Sequence, residues 1–150
     1  RKVSLSIQMP NDDSSLLPMH SDVWSGCSPF EVVLWIPLVD CKKTNSIFFL
    51  PQKKSMLIQK KFKNLKDLDQ IESKYKKDIK FLDIKYGQGL IFSHQLLHGN
   101  VINKESTSRW SFNCRFKSVF SPYHEKTLGE TFAPIYLRPA SQFGLKFDDN

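Results

Sequence analysis

The sequence has few cysteines, no long hydrophobic run and no internal repeat, and each absence excludes a class of protein. Cys27, Cys41 and Cys114 stand far apart without a CxxC pair, which argues against a structural zinc site and a disulfide framework. No apolar run of about 18 residues occurs, and no secretory signal pattern is present. We therefore expect a soluble protein in a reducing cytoplasm, without a membrane partner.

What the chain does contain fits one folded domain. Its 150 residues are 40% hydrophobic and 13% aromatic, which is enough to bury a sizeable core. The net charge is +7, and ten lysines lie between Lys53 and Lys80. Because aromatic residues are not interleaved with them, a solvated face is favoured over a nucleic-acid surface. The first residue, Arg1, already precedes a predicted strand, so we expect the domain to include a further N-terminal segment.

Short strands separated by turns dominate the predicted secondary structure. The strands are expected at Val3–Met9, Phe30–Leu38, Ser46–Pro51, Ile79–Tyr86, Gly89–Ser93 and Ser108–Phe120. His98 to Asn100 is expected to be a turn, and Leu65–Lys77 is the one convincing helical window. The pattern predicts an all-β fold with a minor helix, a jelly roll or barrel that carries the basic segment and its helix near 65–77 on the outside.

Three residues have the types and spacing of a metal site. In an extended segment, residues two apart point to the same face, so His20 and Asp22 can converge while His98 arrives from a distant strand. Two histidines and one carboxylate form the facial triad of non-haem Fe(II) oxygenases, which leaves positions for a chelating keto acid and O2. A His-x-Asp arises by chance in about one chain in four of this composition, so alone it is a weak signal.

A longer series of motifs strengthens that interpretation. The series is His20-Ser-Asp22-Val-Trp24, Leu34-Trp35-Ile-Pro37-Leu38, Asn45-Ser-Ile-Phe-Phe-Leu-Pro51, Gly87-Gln-Gly89, His98-Gly99 and Arg109. From about Gln8 to Phe116 the chain resembles the phytanoyl-CoA dioxygenase superfamily, and most resembles its branches from carbohydrate and aminoglycoside biosynthesis. The resemblance implies a double-stranded β-helix with Fe(II) and 2-oxoglutarate, metal ligands His20, Asp22 and His98, and Arg109 on the far carboxylate of 2-oxoglutarate.

The resemblance has departures on its substrate side. Asn45-Ser46 stands where the family has Asn-Gly, and Pro51-Gln-Lys-Lys54 stands where it has Pro-Gly-Ser-His. These differences put the substrate in doubt more than the chemistry.

Further residues are candidates for binding the cosubstrate or the substrate. Gln8, on the polar face of its strand, is a candidate for 2-oxoglutarate, and the substrate candidates are Trp24, Glu31, Trp35, Asn113 and Arg115. Each has a structural alternative: an exposed polar residue for Gln8, a core position for the tryptophans, and a strand end for Glu31. Asn113 and Arg115 share the face of Arg109 on one strand.

The predicted function is oxidation, most readily hydroxylation, of a small polar metabolite such as a sugar or nucleotide-sugar, with release of succinate and CO2. One alternative is a non-catalytic, cupin-like sugar-binding protein. Another is a zinc hydrolase, because His94 and His98 stand four apart, although no Glu lies between them to act as a base. Asp22 argues against a halogenase, which would need that position open for halide.

Overall fold

The computed structural model of the chain describes residues 3–61, 68–135, 139–140 and 142–143. Its strands are β1 (Ser4–Gln8), β2 (Val32–Pro37), β3 (Phe48–Phe49), β4 (Lys80–Phe81), β5 (Leu90–Ser93), β6 (His98–Gly99) and β7 (Arg109–Phe116). Its α-helices are α1 (Gln52–Lys61) and α2 (Leu68–Tyr75), and short 3-10 helices span Asp22–Ser25, Lys43–Asn45 and Lys76–Asp78. Each of the six predicted strands contains an observed one, so the prediction of a mostly β protein with few helices is confirmed.

The strands form two antiparallel sheets. Four strands pair in the order β1-β7-β2-β5, and three pair in the order β4-β3-β6. The predicted turn at His98 is wrong, because His98 and Gly99 form β6 and pair with Phe49 and Phe48 of β3. The distal histidine is therefore held by a sheet on one side, which fixes its position better than a turn would.

The hydrophobic core lies between the two sheets. Val33, Trp35 and Phe92 of the larger sheet pack with Ile47 and with half-buried Phe49. The rings of Phe49 and Phe92 meet edge to face with centroids 5.0 Å apart, an arrangement favoured by the aromatic quadrupole. This packing sets the separation of the sheets and so the width of the space beside it.

Strands β1 and β7 turn their polar faces inward. Gln8 pairs with Arg109, and both are buried, as is Ser111. The apolar residues of the opposite face, such as Ile7 and its partner Trp110, remain substantially exposed. The alternation predicted for both strands is present, and its polar face points toward the interior.

The helices depart most from expectation. The predicted helix Leu65–Lys77 appears as α2 over Leu68–Tyr75, and its first three residues lie outside the described part of the chain. Helix α1 was not predicted; its Ile58 is buried in a cluster with Phe48 and Leu97. The basic segment is therefore not solely an outer insertion, because α1 packs into the core while Lys53, Lys60 and Lys61 stay exposed.

Within the described ranges, neither α-helix has the length and apolarity to cross a bilayer.

A close backbone approach beside His98 generates a stability prediction. A Cβ added at Gly99 would lie 2.6 Å from the Leu17 carbonyl oxygen and 2.7 Å from Phe48 Cζ, so backbone would have to move. At Gly89 the nearest atom, Leu34 Cδ1, would be 3.3 Å away on a side chain that can shift. We expect Gly99→Ala to lower the free energy of unfolding by about 1 to 3 kcal/mol in urea titrations, and Gly89→Ala to cost much less. Equal costs would contradict the packing described here.

Candidate metal site

A cavity of about 500 Å³ opens between the two sheets. Its polar wall residues include Ser6, His20, Asp22, His98, Asn100, Arg109, Asn113, Arg115 and Lys126, and its apolar wall residues include Trp24, Val33, Trp35, Ile47 and Phe92. The wall thus combines titratable groups with an apolar floor, the usual composition of a small-molecule site.

Two backbone hydrogen bonds bring the distant histidines together. His20 N donates to His98 O and His98 N donates to His20 O, each at 2.9 Å, which makes an isolated antiparallel bridge. The imidazole rings lie with their centroids 4.4 Å apart. Residues 78 positions apart in the chain are therefore direct neighbours at this wall of the cavity.

Both imidazoles present the same nitrogen to the cavity. Nδ1 of His20 lies 2.7 Å from Pro18 O, and Nδ1 of His98 lies 2.8 Å from Leu96 O. A carbonyl oxygen can only accept a hydrogen bond, so Nδ1 is the donor in both rings. In the neutral ring Nε2 then keeps its lone pair. Such a carbonyl partner on the second nitrogen is typical of metal-ligating histidine.

The carboxylate of Asp22 completes the group. Its Oδ1 lies 3.9 Å from His20 Nε2, and its Oδ2 lies 3.8 Å from His98 Nε2. One ligand atom from each of the three residues lies within 4.8 Å of the others, a spacing that one metal ion can span. Ser21 is extended, as the spacing of His20 and Asp22 requires, and Asp22 begins a 3-10 helix.

Burial keeps the distal histidine in its metal-binding form. Removal from water is the main cause that lowers the pKa of His98 to about 4; electrostatic interaction with His20 and Arg115 acts in the same direction, while Asp22 and the hydrogen bond with Leu96 oppose it. His98 is therefore neutral at pH 7, and neutral imidazole is the form that binds metal.

Arg109 lies in the cavity wall with an unmatched guanidinium. It is 2% exposed, and its Nε and Nη1 have no hydrogen-bond partner among the described residues. Burial lowers its pKa, yet arginine keeps its charge at neutral pH. A buried cation without a partner is costly, so the position suits an anionic ligand that enters the cavity.

The other predicted substrate residues divide into two groups. Trp24, Trp35, Asn113 and Arg115 line the cavity. Arg115 Nη2 also lies 3.5 Å from Asp22 Oδ1, so its long side chain reaches back to the site although its Cα is six residues beyond Arg109. Trp35 belongs to the hydrophobic core as well as to the cavity wall, so it has both the position expected of a core residue and the position expected of a substrate residue.

Two predicted residues lie outside the cavity wall. The carboxylate of Glu31 is buried behind it, where Oε1 accepts a hydrogen bond from Ser28 N at 2.8 Å and Oε2 faces His94. Gln8 is buried, and its Nε2 donates to Val101 O at 2.5 Å. It pairs with Arg109 across the strands, and its Oε1 has no hydrogen-bond partner among the described residues, so its role toward 2-oxoglutarate stays a prediction.

Sequence reasoning missed several residues that build the site. Gln59 of α1 donates to Ser21 Oγ at 2.6 Å and accepts from Trp24 Nε1 at 2.8 Å, which fixes both sides of Asp22. Lys126 lines the cavity from the segment that follows the last predicted strand. His94 was noticed only for its spacing from His98, and the helix that such a zinc pair requires is absent, because residues 94–96 form a turn.

Comparisons with known proteins were made at the levels of family, sequence and structure. No family model matches the chain, and no curated protein matches it. Membership of the phytanoyl-CoA dioxygenase superfamily therefore stays a prediction.

Solved structures share the fold. The non-heme alpha ketoglutarate dependent carbocyclase SnoK from nogalamycin biosynthesis has a TM-score of 0.60 and 12% identity over 79% of this chain and 50% of its own. EvdMO1 has a TM-score of 0.56 and 18% identity over 77% of this chain and 27% of its own. The non-heme monooxygenase ThoJ, as its Ni complex, has a TM-score of 0.51 and 16% identity over 97% of this chain and 60% of its own. At these identities the likeness establishes the fold, and the chain spans roughly a quarter to three fifths of the length of these proteins.

The geometry of the three residues generates a metal-binding prediction. We expect wild-type protein to bind one Mn(II), Ni(II) or Fe(II) per chain, measured by titration calorimetry, and His20→Ala to abolish binding. His124, which is exposed and does not line the cavity, supplies the matched control, and His124→Ala should bind as wild type does. Metal binding that survives His20→Ala would remove these residues as ligands.

Proposed function

We propose that the chain forms the core of an Fe(II)- and 2-oxoglutarate-dependent oxygenase that oxidises a small polar metabolite. The observation that carries the proposal is one cavity wall holding both a ligand set of two imidazoles and a carboxylate and a buried arginine with unpaired nitrogens. In this proposal His20, Asp22 and His98 hold the metal. Bound Fe(II), with 2-oxoglutarate and O2, supplies the oxidising chemistry, and succinate and CO2 are released.

The donor set fits iron better than a structural zinc ion. One ligand atom from each of two imidazoles and one carboxylate lies within 4.8 Å of the others, and all three residues line the cavity, so a metal held there would have positions open to it. Open coordination positions are what a site needs to bind cosubstrate. Structural zinc sites, by contrast, close all four positions with protein ligands.

Arg109 fits the role of cosubstrate clamp. 2-Oxoglutarate is a dianion, and a planar guanidinium can bind its distal carboxylate through two parallel hydrogen bonds. The Nε and Nη1 of Arg109 have no partner in the described part of the chain, so donors of the guanidinium are left for such a ligand. Pairing them with a carboxylate would relieve the cost of burying the charge.

Other cavity residues would orient the substrate and exclude water. Trp24 and Trp35 offer flat apolar walls, while Asn113, Arg115 and Lys126 offer polar contacts. Aromatic walls with a few polar groups suit a sugar or sugar derivative, and the cations suit a nucleotide-linked one. In this proposal the substrate occupies the side of the cavity lined by Arg115 and Lys126, opposite Arg109.

The structural neighbours support both fold and chemistry. SnoK is described as non-heme and alpha ketoglutarate dependent, and ThoJ as a non-heme monooxygenase with bound Ni. We propose accordingly that the two facing sheets belong to a double-stranded β-helix, as the motif resemblance implies. Hydroxylation is the simplest outcome, and succinate formation separates it from the non-catalytic sugar-binding alternative, which would bind ligands without turnover.

The two arginines of β7 give the principal test. Arg109→Ala should weaken 2-oxoglutarate binding by roughly 2 to 5 kcal/mol, or about 30-fold and more, because the carboxylate loses a buried charged partner. Arg115→Ala, measured at saturating Mn(II) because Arg115 also approaches Asp22, should leave that affinity nearly unchanged. Equal losses, or cosubstrate binding that survives Arg109→Ala, would exclude the proposed clamp.

Helix α1 gives a second test with neighbouring residues. The triple change of Lys60, Lys61 and Lys63 to Gln, of which Lys63 lies outside the described residues, should leave substrate-free decarboxylation of 2-oxoglutarate unchanged. Gln59→Leu, next in the same helix, should lower the rate of that decarboxylation several-fold, because Trp24 and Ser21 lose their polar partner around Asp22.

A severe loss of decarboxylation in the lysine variant would mean that the basic segment forms part of the site. A rise in Michaelis constant for phosphorylated substrates alone would give those lysines a guiding role.

A further inference from the structure

Buried His94 lies behind the carboxylate of Asp22. Its side chain is fully buried, its Nδ1 is 3.4 Å from Asp22 Oδ2, and its Nε2 is 3.7 Å from Glu31 Oε2. Its own backbone carbonyl accepts a hydrogen bond from Ser21 Oγ at 2.8 Å, which joins its turn to the residue before Asp22. Glu31, His94 and Asp22 therefore form a line that ends at the proposed metal ligand.

The atoms along this line are buried and lack hydrogen-bond partners. Within the described residues, neither ring nitrogen of His94 nor Glu31 Oε2 has one. Leaving such buried groups unmatched carries a desolvation cost. The gap of 3.4 Å between His94 Nδ1 and Asp22 Oδ2 exceeds a normal hydrogen bond by only a few tenths of an ångström. A neutral imidazole has one N–H, so a small closing movement would let Nδ1–H donate to Asp22.

The nitrogen donor closest to the Asp22 carboxylate belongs to His94, a residue that does not line the cavity. Among the described residues, four side-chain nitrogens lie within 4 Å of that carboxylate: His94 Nδ1 at 3.4 Å, Arg115 Nη2 at 3.5 Å, His98 Nε2 at 3.8 Å and His20 Nε2 at 3.9 Å. The His20 and His98 atoms face the metal position, and the side chain of Arg115 is 36% exposed. Only His94 approaches from the closed side, where a substrate or solvent molecule would not displace it.

We infer that His94 is a positioning residue, an inference that rests on the proposed function: its Nδ1–H donates to the Asp22 carboxylate and holds it in the orientation that binds metal. This gives a role to a buried polar residue that lies outside the cavity wall. Hydrogen-bonded partners of a ligating carboxylate fix its direction, and their loss typically weakens metal binding about 10- to 100-fold.

The two ring nitrogens can be tested separately. In His94→Asn the side-chain amide nitrogen lies near the position of Nδ1 and can still donate to Asp22. In His94→Gln it lies near the position of Nε2 and reaches toward Glu31, and His94→Phe fills the space with no donor. The measurement is the Mn(II) dissociation constant of each variant without cosubstrate, together with the unfolding midpoint of the metal-free protein.

We expect His94→Gln and His94→Phe to weaken Mn(II) binding about 10- to 100-fold and His94→Asn to stay within about threefold of wild type. A role in packing alone would not favour Asn over Gln, since both leave space where the ring was. The comparison of His94→Asn with His94→Gln tests the positioning role even if the Phe variant does not fold.

Other outcomes overturn the inference in distinguishable ways. Equal weakening by Asn and Gln, or none by either, while His20→Ala still abolishes binding, removes the role of His94 and leaves the proposed function intact. Wild-type Mn(II) affinity that is unchanged by His20→Ala removes both. Binding that depends on His94 and survives His98→Ala would make His94 itself a ligand, with Asp22 and Cys27 as its nearest ligand atoms, and would also overturn both.

Discussion

The pair of backbone hydrogen bonds between His20 and His98 is the constraint on which the site depends. It joins a loop that precedes the first 3-10 helix to β6 of the three-stranded sheet. Neighbouring contacts extend it: Asn100 N donates to Leu17 O at 2.9 Å, and the Asn100 side chain accepts from Leu17 N at 2.6 Å. Because Gly99 has no Cβ, Leu17 can pass directly over β6. The loop is thereby held like a strand at the point where it supplies two of the three proposed ligands.

The inward polar face of β1 and β7 is the second organising feature. In an antiparallel sheet with one solvent-exposed face, the apolar side of each strand faces the core. Here Gln8, Arg109 and Ser111 are buried, and Ile7 and Trp110 are exposed on the other side. Burying a guanidinium in this way carries a free-energy cost that hydrophobic packing does not recover. Such a cost is expected where the interior serves a charged ligand rather than stability.

Several parts of this arrangement could be predicted from sequence, for identifiable reasons. The strict alternation from Arg109 to Arg115 placed four polar residues on one face, since the period of a strand is fixed by its geometry. The two-residue spacing of His20 and Asp22 worked because Ser21 is extended. Helix α1 was not predicted because its ten residues bury only Ser55 and Ile58, which is too few to show a helical period. In addition, its lysines indicated a solvent-exposed segment. The proximity of Glu31 to His94 had no local signal at all, because it arises from packing between residues 63 positions apart.

The surroundings of Asp22 differ between its closed and open sides, and in the proposed function that difference separates chemistry from specificity. On the closed side are His94 and Glu31, both fully buried, and at the cavity wall the rings of the bridged histidines are held by carbonyl oxygens. On the open side are Arg115, near the end of β7, and Lys126, whose Nζ contacts Cys27 Sγ at 2.7 Å from an irregular segment. Rigid elements hold reacting groups more precisely than loops do, whereas loops tolerate substitution. Changes on the open side can therefore alter which molecule is accepted while the proposed ligand set stays in place.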